Sequence, residues 1–264
     1  MKKKIICDNN IWYQIDDEFN PVILKHESEE YYGTAINIIE FISDEKKYKT
    51  EKGREIINRA IQSMVNNCEA IILDDPMVYA ANKLYDIKSN IDDVKGLNVT
   101  LDKLIAYSKF EFEKLHGPTI EGLRQFKESF VKGSQNLAIR YHELGKKYKN
   151  TEKERIDKIQ SFSYDWFFKQ LDLVKQTNLP VLEHSHQKNL NLFISSYSLM
   201  LDRLKKSAPK PNSVYDILQL LYFIDEEFDE FWTLDKQIGK RILHLDEMYS
   251  TNYIQYLKEK DLYS

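Results

Sequence analysis

Residues 2–10 read KKKIICDNN: three lysines, the apolar run Ile5-Ile6-Cys7, then an acid followed by two asparagines. A short apolar run bounded by charge is the pattern of a buried strand, and Asp8 then stands at its C-terminal end. That position matters because open parallel sheets bind ligands at the carboxyl edge of their strands.

Outward from this strand the chain alternates between short apolar runs and helical periodicity. YYGTAINIIEFISD, from Tyr31 to Asp44, carries a helical pattern that sets Glu40 on or beside an apolar face with Ile36, Ile39, Phe41 and Ile42. From Thr50 to Asn67, apolar residues recur at three- and four-residue spacing, with Thr50 as N-cap. CEAIILDD is expected to form a second strand, and Pro76 to Tyr85 a further helix. Near the end, VYDILQLLYFIDEEF is expected as helix, EFWTLD as a strand ending in a polar turn, and KQIGKRILHL as helix. Strand and helix in alternation predict a parallel sheet with helices on both faces.

Between about Asn98 and Lys206 the pattern is helical with few strand signals, and the Pro- and Ser-rich stretch 207–213 marks a return. The expected organisation is therefore one α/β domain, 1–97 with 211–264, interrupted by a mostly helical insertion, 98–210. The insertion is basic: residues 98–210 hold 20 Lys and Arg against 13 Asp and Glu, a net of +7, which leaves −11 for the rest of a chain whose total is −4. A basic region beside an acidic one suits a metal-dependent enzyme acting on nucleic acid, since phosphates need cations and metals need carboxylates. Solvated helices produce charge swings of this size too.

The 264 residues are 42% hydrophobic and 30% charged, the composition of a folded globular protein. No apolar run approaches the roughly 18 residues that span a bilayer, so neither a membrane anchor nor a signal peptide is expected. Two cysteines, Cys7 and Cys68, are too few for a disulfide framework or a cysteine-built metal site, which points to buried thiols in a cytoplasmic setting. A glycine-rich phosphate loop is lacking, which argues against a nucleoside triphosphatase.

Four segments in this order resemble PIN-domain nucleases. IICDNN is similar to the family's opening strand with its Asp-x-Asn motif, at Asp8, Asn9 and Asn10; INIIEF to the helix with its second acid, at Glu40. NSVYDILQLLYF resembles the helix that opens with the third acid, at Asp216, and FWTLDKQIGKRI the late strand ending Thr-x-Asp, at Thr233 and Asp235. The resemblance covers roughly residues 3–95 and 211–245, and the long insertion and the tail after Leu245 depart from compact members. It implies a three-layer α/β/α domain around a central parallel sheet. It also implies a hydrolase, an endonuclease dependent on Mg2+ or Mn2+ and acting on single-stranded RNA, with DNA left open as a substrate.

The chemistry has its own logic. Mg2+ and Mn2+ prefer oxygen ligands and keep several waters, so Asp8, Glu40, Asp216 and Asp235 would serve one or two ions. Metal-bound water is a better nucleophile near neutral pH, and the metal offsets charge building on phosphorus and the leaving oxygen. Asn10 is expected to orient Asp8 or a nearby loop, and Thr233 to hydrogen-bond phosphate or a metal-bound water. Each residue has a plainer reading as well: Asp216 as a first-turn acid, Asp235 as an N-cap, Asn10 as a turn residue. Glu40 needs a partner if buried among isoleucines.

Weaker candidates are Asp74-Asp75-Pro76, His184 with His186, and the aromatics Tyr31-Tyr32, Trp166-Phe167-Phe168 and Tyr249, whose helical spacing more often means core than base stacking. The run GKKYK makes Lys146, Lys147 and Lys149 candidate nucleic-acid contacts. Alternatives to the enzyme are a non-catalytic scaffold of this fold binding RNA or a protein, and a toxin- or defence-type nuclease held by a protein inhibitor. A homo-oligomer stays open.

Overall fold

The computed structural model describes residues 2–15, 27–43, 49–85, 184–204, 211–236, 242–249 and 251–257, with Lys47 and isolated helical positions between 128 and 169. Five strands, β1 (Lys3–Cys7), β2 (Glu29–Thr34), β3 (Ala70–Ile72), β4 (Glu230–Thr233) and β5 (Ile254–Tyr256), make one sheet in the order β3-β2-β1-β4-β5. Every neighbouring pair is parallel, so the chain adopts the α/β class that its alternating pattern predicts. The basic-apolar run of residues 2–10 supplies the central strand.

The helices joining these strands are α1 (Asn9–Ile15), α2 (Ala35–Ser43), α3 (Glu51–Asn67) and, before β5, α7 (Leu243–Met248). Thr50 caps α3 as its sequence suggests, its side chain accepting from the Gly53 N–H at 3.1 Å. Successive strand residues face opposite ways. Ile5, Cys7, Tyr31 and Trp232 pack with Ile11 and Trp12 of α1, Ile38 and Phe41 of α2, and Ile57, Ala60, Ile61 and Met64 of α3 in one buried cluster. Each large side chain so buried contributes about 1.5–3 kcal/mol. Ile6 and Phe231, which alternate with these, are fully buried as well, so both faces of the sheet centre are covered, as a parallel sheet requires.

Two strands escaped the sequence reading. Glu29–Thr34, EEYYGT, opens with acids and lacks an apolar run, and its first aromatics were assigned to the helical pattern that begins only at Ala35. Ile254–Tyr256 lies in the tail that lacked a family counterpart. In β2, Gly33 lets α3 approach closely, because a Cβ there would stand 2.8 Å from Met64 Sδ.

By its contacts the chain forms two units. Of the described residues, those up to Asp75 and from Glu226 onward form the first, which holds the whole sheet, and those from Pro76 to Tyr85 and from 128 to Asp225 form the second. The second contains α4 (Pro76–Tyr85), α5 (His184–Leu204) and α6 (Pro211–Leu218), which runs into a 3-10 turn, Gln219–Phe223. The sequence reading set its boundaries at 97/98 and 210/211; by contacts, α4 and α6 count with the second unit because α4 and α6 pack on the 3-10 turn. Among the described residues no helix is long and apolar enough to cross a membrane.

Candidate active site

From β1 the sheet grows one way through β2 and β3, then the other way through β4 and β5. The crevice at the carboxyl ends of β1 and β4 is thus the topological switch point, where ligands bind in open α/β sheets. Asp8 follows directly on β1, and Thr233 ends β4 with Asp235 two residues beyond.

The Asp8 backbone N–H extends the ladder by donating to the Trp232 carbonyl at 2.9 Å, and its own carbonyl accepts from Ile11 at 3.0 Å as α1 begins. The side chain is 4% exposed. Its Oδ1 accepts the Asn9 backbone N–H at 2.7 Å, and its Oδ2 accepts Asn10 Nδ2 at 2.6 Å and the Thr233 hydroxyl at 2.8 Å. A carboxylate has about four lone-pair sites, and donors among the described residues take three of them here, one on Oδ1 and two on Oδ2. Asn10 also accepts the Leu234 N–H at 2.9 Å, and Thr233 Oγ1 accepts the Asp235 N–H at 3.0 Å and Asn10 Nδ2 at 3.2 Å. Asn10 therefore holds the Asp8 carboxylate and staples the end of β4 to the start of α1. The hydroxyl proton of Thr233 is spent on Asp8.

Burial is the main cause that pushes the Asp8 carboxyl up to about 6; the donors Thr233, Asn9 and Asn10 act to lower it, and the charge of Asp235 raises it. Asp8 and Asp235 thus feel one another. The thiols are inert by comparison, burial pushing Cys7 well above the ordinary range and Cys68 up to about 11.

Glu40 comes to this centre through residues the sequence reading did not assign. Thr34 caps α2: its Oγ1 accepts the Asn37 N–H at 3.3 Å while Asn37 Oδ1 accepts the Thr34 N–H at 2.8 Å, a capping box with asparagine in the reciprocal place. Asn37 Nδ2 donates to the Cys7 carbonyl at 3.2 Å, which pins the first turn of α2 to the end of β1. One turn on, Glu40 Oε2 accepts Asn9 Nδ2 at 2.8 Å, and the same Nδ2 meets the Asn37 carbonyl at 3.3 Å. The Thr-x-x-Asn-x-x-Glu spacing was the available signal for this arrangement.

No protein-family model matches the chain, and neither the curated proteins nor the solved structures provide a match. The functional reading therefore rests on the residues and their geometry.

Asp216 lies on α6, half-buried between the buried Tyr215 and Ile217, and belongs to the second unit. The centre described above is that of the first unit alone. Lys146, Lys147, Lys149 and Trp166 fall outside the described residues. Phe167 and Tyr31 are core, Phe167 packed beside Phe193 and Tyr31 edge-on to Trp232. His184 and His186 stand at the start of α5.

The donors at the switch point are carboxylate, amide and hydroxyl, the set that suits a hard cation such as Mg2+ or Mn2+. Asp8, Glu40 and Asp235 are the first unit's residues that would hold it. Among the described residues no group of three or more His, Cys, Asp or Glu is gathered closely enough to hold a metal alone. Mg2+ usually keeps several waters and takes one or two carboxylates beside substrate phosphate, so a pair of acids suits it. Asp8, a buried carboxylate whose ionisation is opposed by Asp235, gains from a bound cation.

Proposed function

We propose that this chain is a PIN-like, Mg2+- or Mn2+-dependent endoribonuclease that hydrolyses phosphodiesters of single-stranded RNA. The observation that carries the reading is the meeting of Asp8 and the Asp235 turn at the carboxyl ends of β1 and β4, the ligand-binding edge of the sheet, where Thr233 Oγ1 donates to Asp8 and accepts the Asp235 N–H. A divalent ion there supplies a more acidic water and offsets charge on the phosphate. Asp8 and Asp235 concentrate the negative charge that draws the ion, and Glu40 adds to it from α2. Asn10 and Thr233 keep the Asp8 carboxylate in one orientation. Asp216 is the fourth acid of the proposal, and the basic segment 98–210 its RNA-binding element.

The test is cleavage of a labelled single-stranded RNA in Mn2+. Wild type should cut, and Asp8→Asn should lose at least about 100-fold in rate, while a single-stranded DNA of the same sequence tells whether RNA is required. No cleavage by the wild type in any divalent ion, or an active Asp8→Asn, would sink the reading.

A second reading has two observations in its favour. Three of the acceptor sites on Asp8 are occupied by protein donors, and no three-acid cluster forms among the described residues. A non-catalytic scaffold with this fold would need nothing more. It is the outcome if RNA binds equally with and without divalent metal and is never cut.

A further inference from the structure

Asn9 touches both carboxylates of the first unit's centre. Its backbone N–H donates to Asp8 Oδ1 at 2.7 Å, and its side-chain Nδ2 donates to Glu40 Oε2 at 2.8 Å. The residue is 7% exposed, so this link is shielded from competing water. A third contact, from Nδ2 to the Asn37 carbonyl at 3.3 Å, sets which way the amide points. Turned over, the amide would set its oxygen against a carboxylate and a carbonyl, two acceptors that repel it. In the orientation it holds, Asn9 Oδ1 is buried and takes no hydrogen bond from any described residue. Buried polar atoms are rarely left so. The amide leaves one end without a partner among the described residues while it holds Glu40 with the other.

We propose that Asn9 is a positioning residue that ties Asp8 and Glu40 into one array for a divalent cation; this rests on the function proposed above. Asn37 and Thr34 act behind it, since they fix the turn of α2 from which Glu40 projects. Partners that orient a metal's ligands typically contribute 10–100-fold in affinity or activity.

The test is Mn2+ binding to the intact chain without RNA, by titration calorimetry and by the Mn2+-induced rise in melting temperature. Asn9→Ala keeps the backbone N–H on Asp8 and removes only the side-chain link. Asn9→Ser, which keeps a small polar residue at the helix start, does the same should the alanine variant fold poorly. Both should weaken Mn2+ binding about 10–100-fold, beyond whatever stability in EDTA the lost hydrogen bonds remove. A role in folding alone would move the EDTA melting and not the Mn2+ affinity. In a Glu40→Gln background the loss on adding Asn9→Ala should shrink to about 2-fold or less, since the two act through one link. Asp8-dependent Mn2+ binding that Asn9→Ala and Asn9→Ser leave unchanged, or a loss that persists in full in Glu40→Gln, overturns the positioning role and leaves the proposed function standing. Wild-type chain that binds no Mn2+ through Asp8 removes the proposed function, and this inference with it.

Discussion

The Thr233 hydroxyl donates to Asp8 Oδ2 at 2.8 Å, joining two residues 225 positions apart in the chain. The bond exists because β1 and β4 are neighbours in the sheet, with Cys7 opposite Trp232, so the residues that follow each strand meet at one edge. Around it Asp8 carries a carboxyl displaced from its ordinary value, and that displacement has measurable consequences.

Asp8 has a folded-state pKa of about 6 against an ordinary 3.8. Between those values the folded chain binds the proton more tightly than the unfolded chain, so stability is present in full below about pH 4 and falls as pH rises through 6. The gap corresponds to about 3 kcal/mol. In metal-free buffer, wild type should lose about that much relative to Asp8→Asn between pH 4 and pH 8, whatever constant offset the amide introduces. Urea melts of both proteins across that range decide it, and parallel profiles would show that Asp8 is not the titrating group. Mn2+ should restore the wild type at pH 8 and leave Asp8→Asn largely unaffected.

Thr233→Val keeps the shape of a fully buried side chain and removes the donor to Asp8 and the acceptor for the Asp235 N–H. A hydrogen bond to a charged group contributes about 1.5–3 kcal/mol, and its loss should be felt most where Asp8 is ionised. The expected cost is therefore larger at pH 8 than at pH 5 by urea denaturation, with Thr233→Ser close to wild type. An equal cost at both pH values would mean the hydroxyl serves packing and the Asp235 turn only.

Gly33 and Gly53, the two described glycines of the first unit, should respond differently to alanine. At Gly53 a Cβ would stand 2.1 Å from the Lys47 carbonyl oxygen, a backbone atom that moves only with its whole turn, whereas at Gly33 the nearest atom is the flexible Met64 Sδ at 2.8 Å. Gly53→Ala should destabilise by more than about 2 kcal/mol despite alanine's better helix propensity, and Gly33→Ala by about 1–2 kcal/mol. Shortening the neighbour with Met64→Val should recover part of the Gly33→Ala loss in a double-mutant cycle. Thermal melts give both numbers, and additivity at Gly33 and Met64 would contradict the packing described.

Among the described residues Asp246 is the buried acid outside the site, 1% exposed. It accepts the Thr251 hydroxyl and the backbone N–H groups of Tyr253 at 3.0 Å and Ile254 at 2.9 Å, which sets the turn that delivers β5 beside β4. Asp246→Asn turns an N–H toward one of those donors and should cost about 2–4 kcal/mol. Amide exchange should speed up first at Leu257, whose N–H donates to the Thr233 carbonyl at the open end of the sheet. Unchanged exchange there would mean that β5 is held by its own pairing.

Local chemistry made much of this chain legible without coordinates. Ile5-Ile6-Cys7 had to be buried, and burial between charged ends made it a strand. Thr50 as a cap and Pro76 as a helix start follow from backbone groups that each helix must satisfy or dispense with at its first turn. Asp8 and Asp235 were visible because each acid follows an apolar strand. Asn10 was visible as an Asp-x-Asn pair, though its hold on Leu234 was not.

What the sequence could not decide is everything that depends on which strands are neighbours. EEYYGT became β2 because its backbone pairs with β1 and β3, not because its side chains announce a strand, and IQY became β5 because Asp246 delivers it to β4. In the same way Asn9 was only the middle letter of a motif until α2 was pinned to the end of β1 through Asn37, which brought Glu40 within reach of its amide. Apolar burial and helix capping act over three or four residues and are written in the local order of side chains. Pairing between distant strands, and the carboxylate geometry that follows from it, is a property of the folded sheet alone.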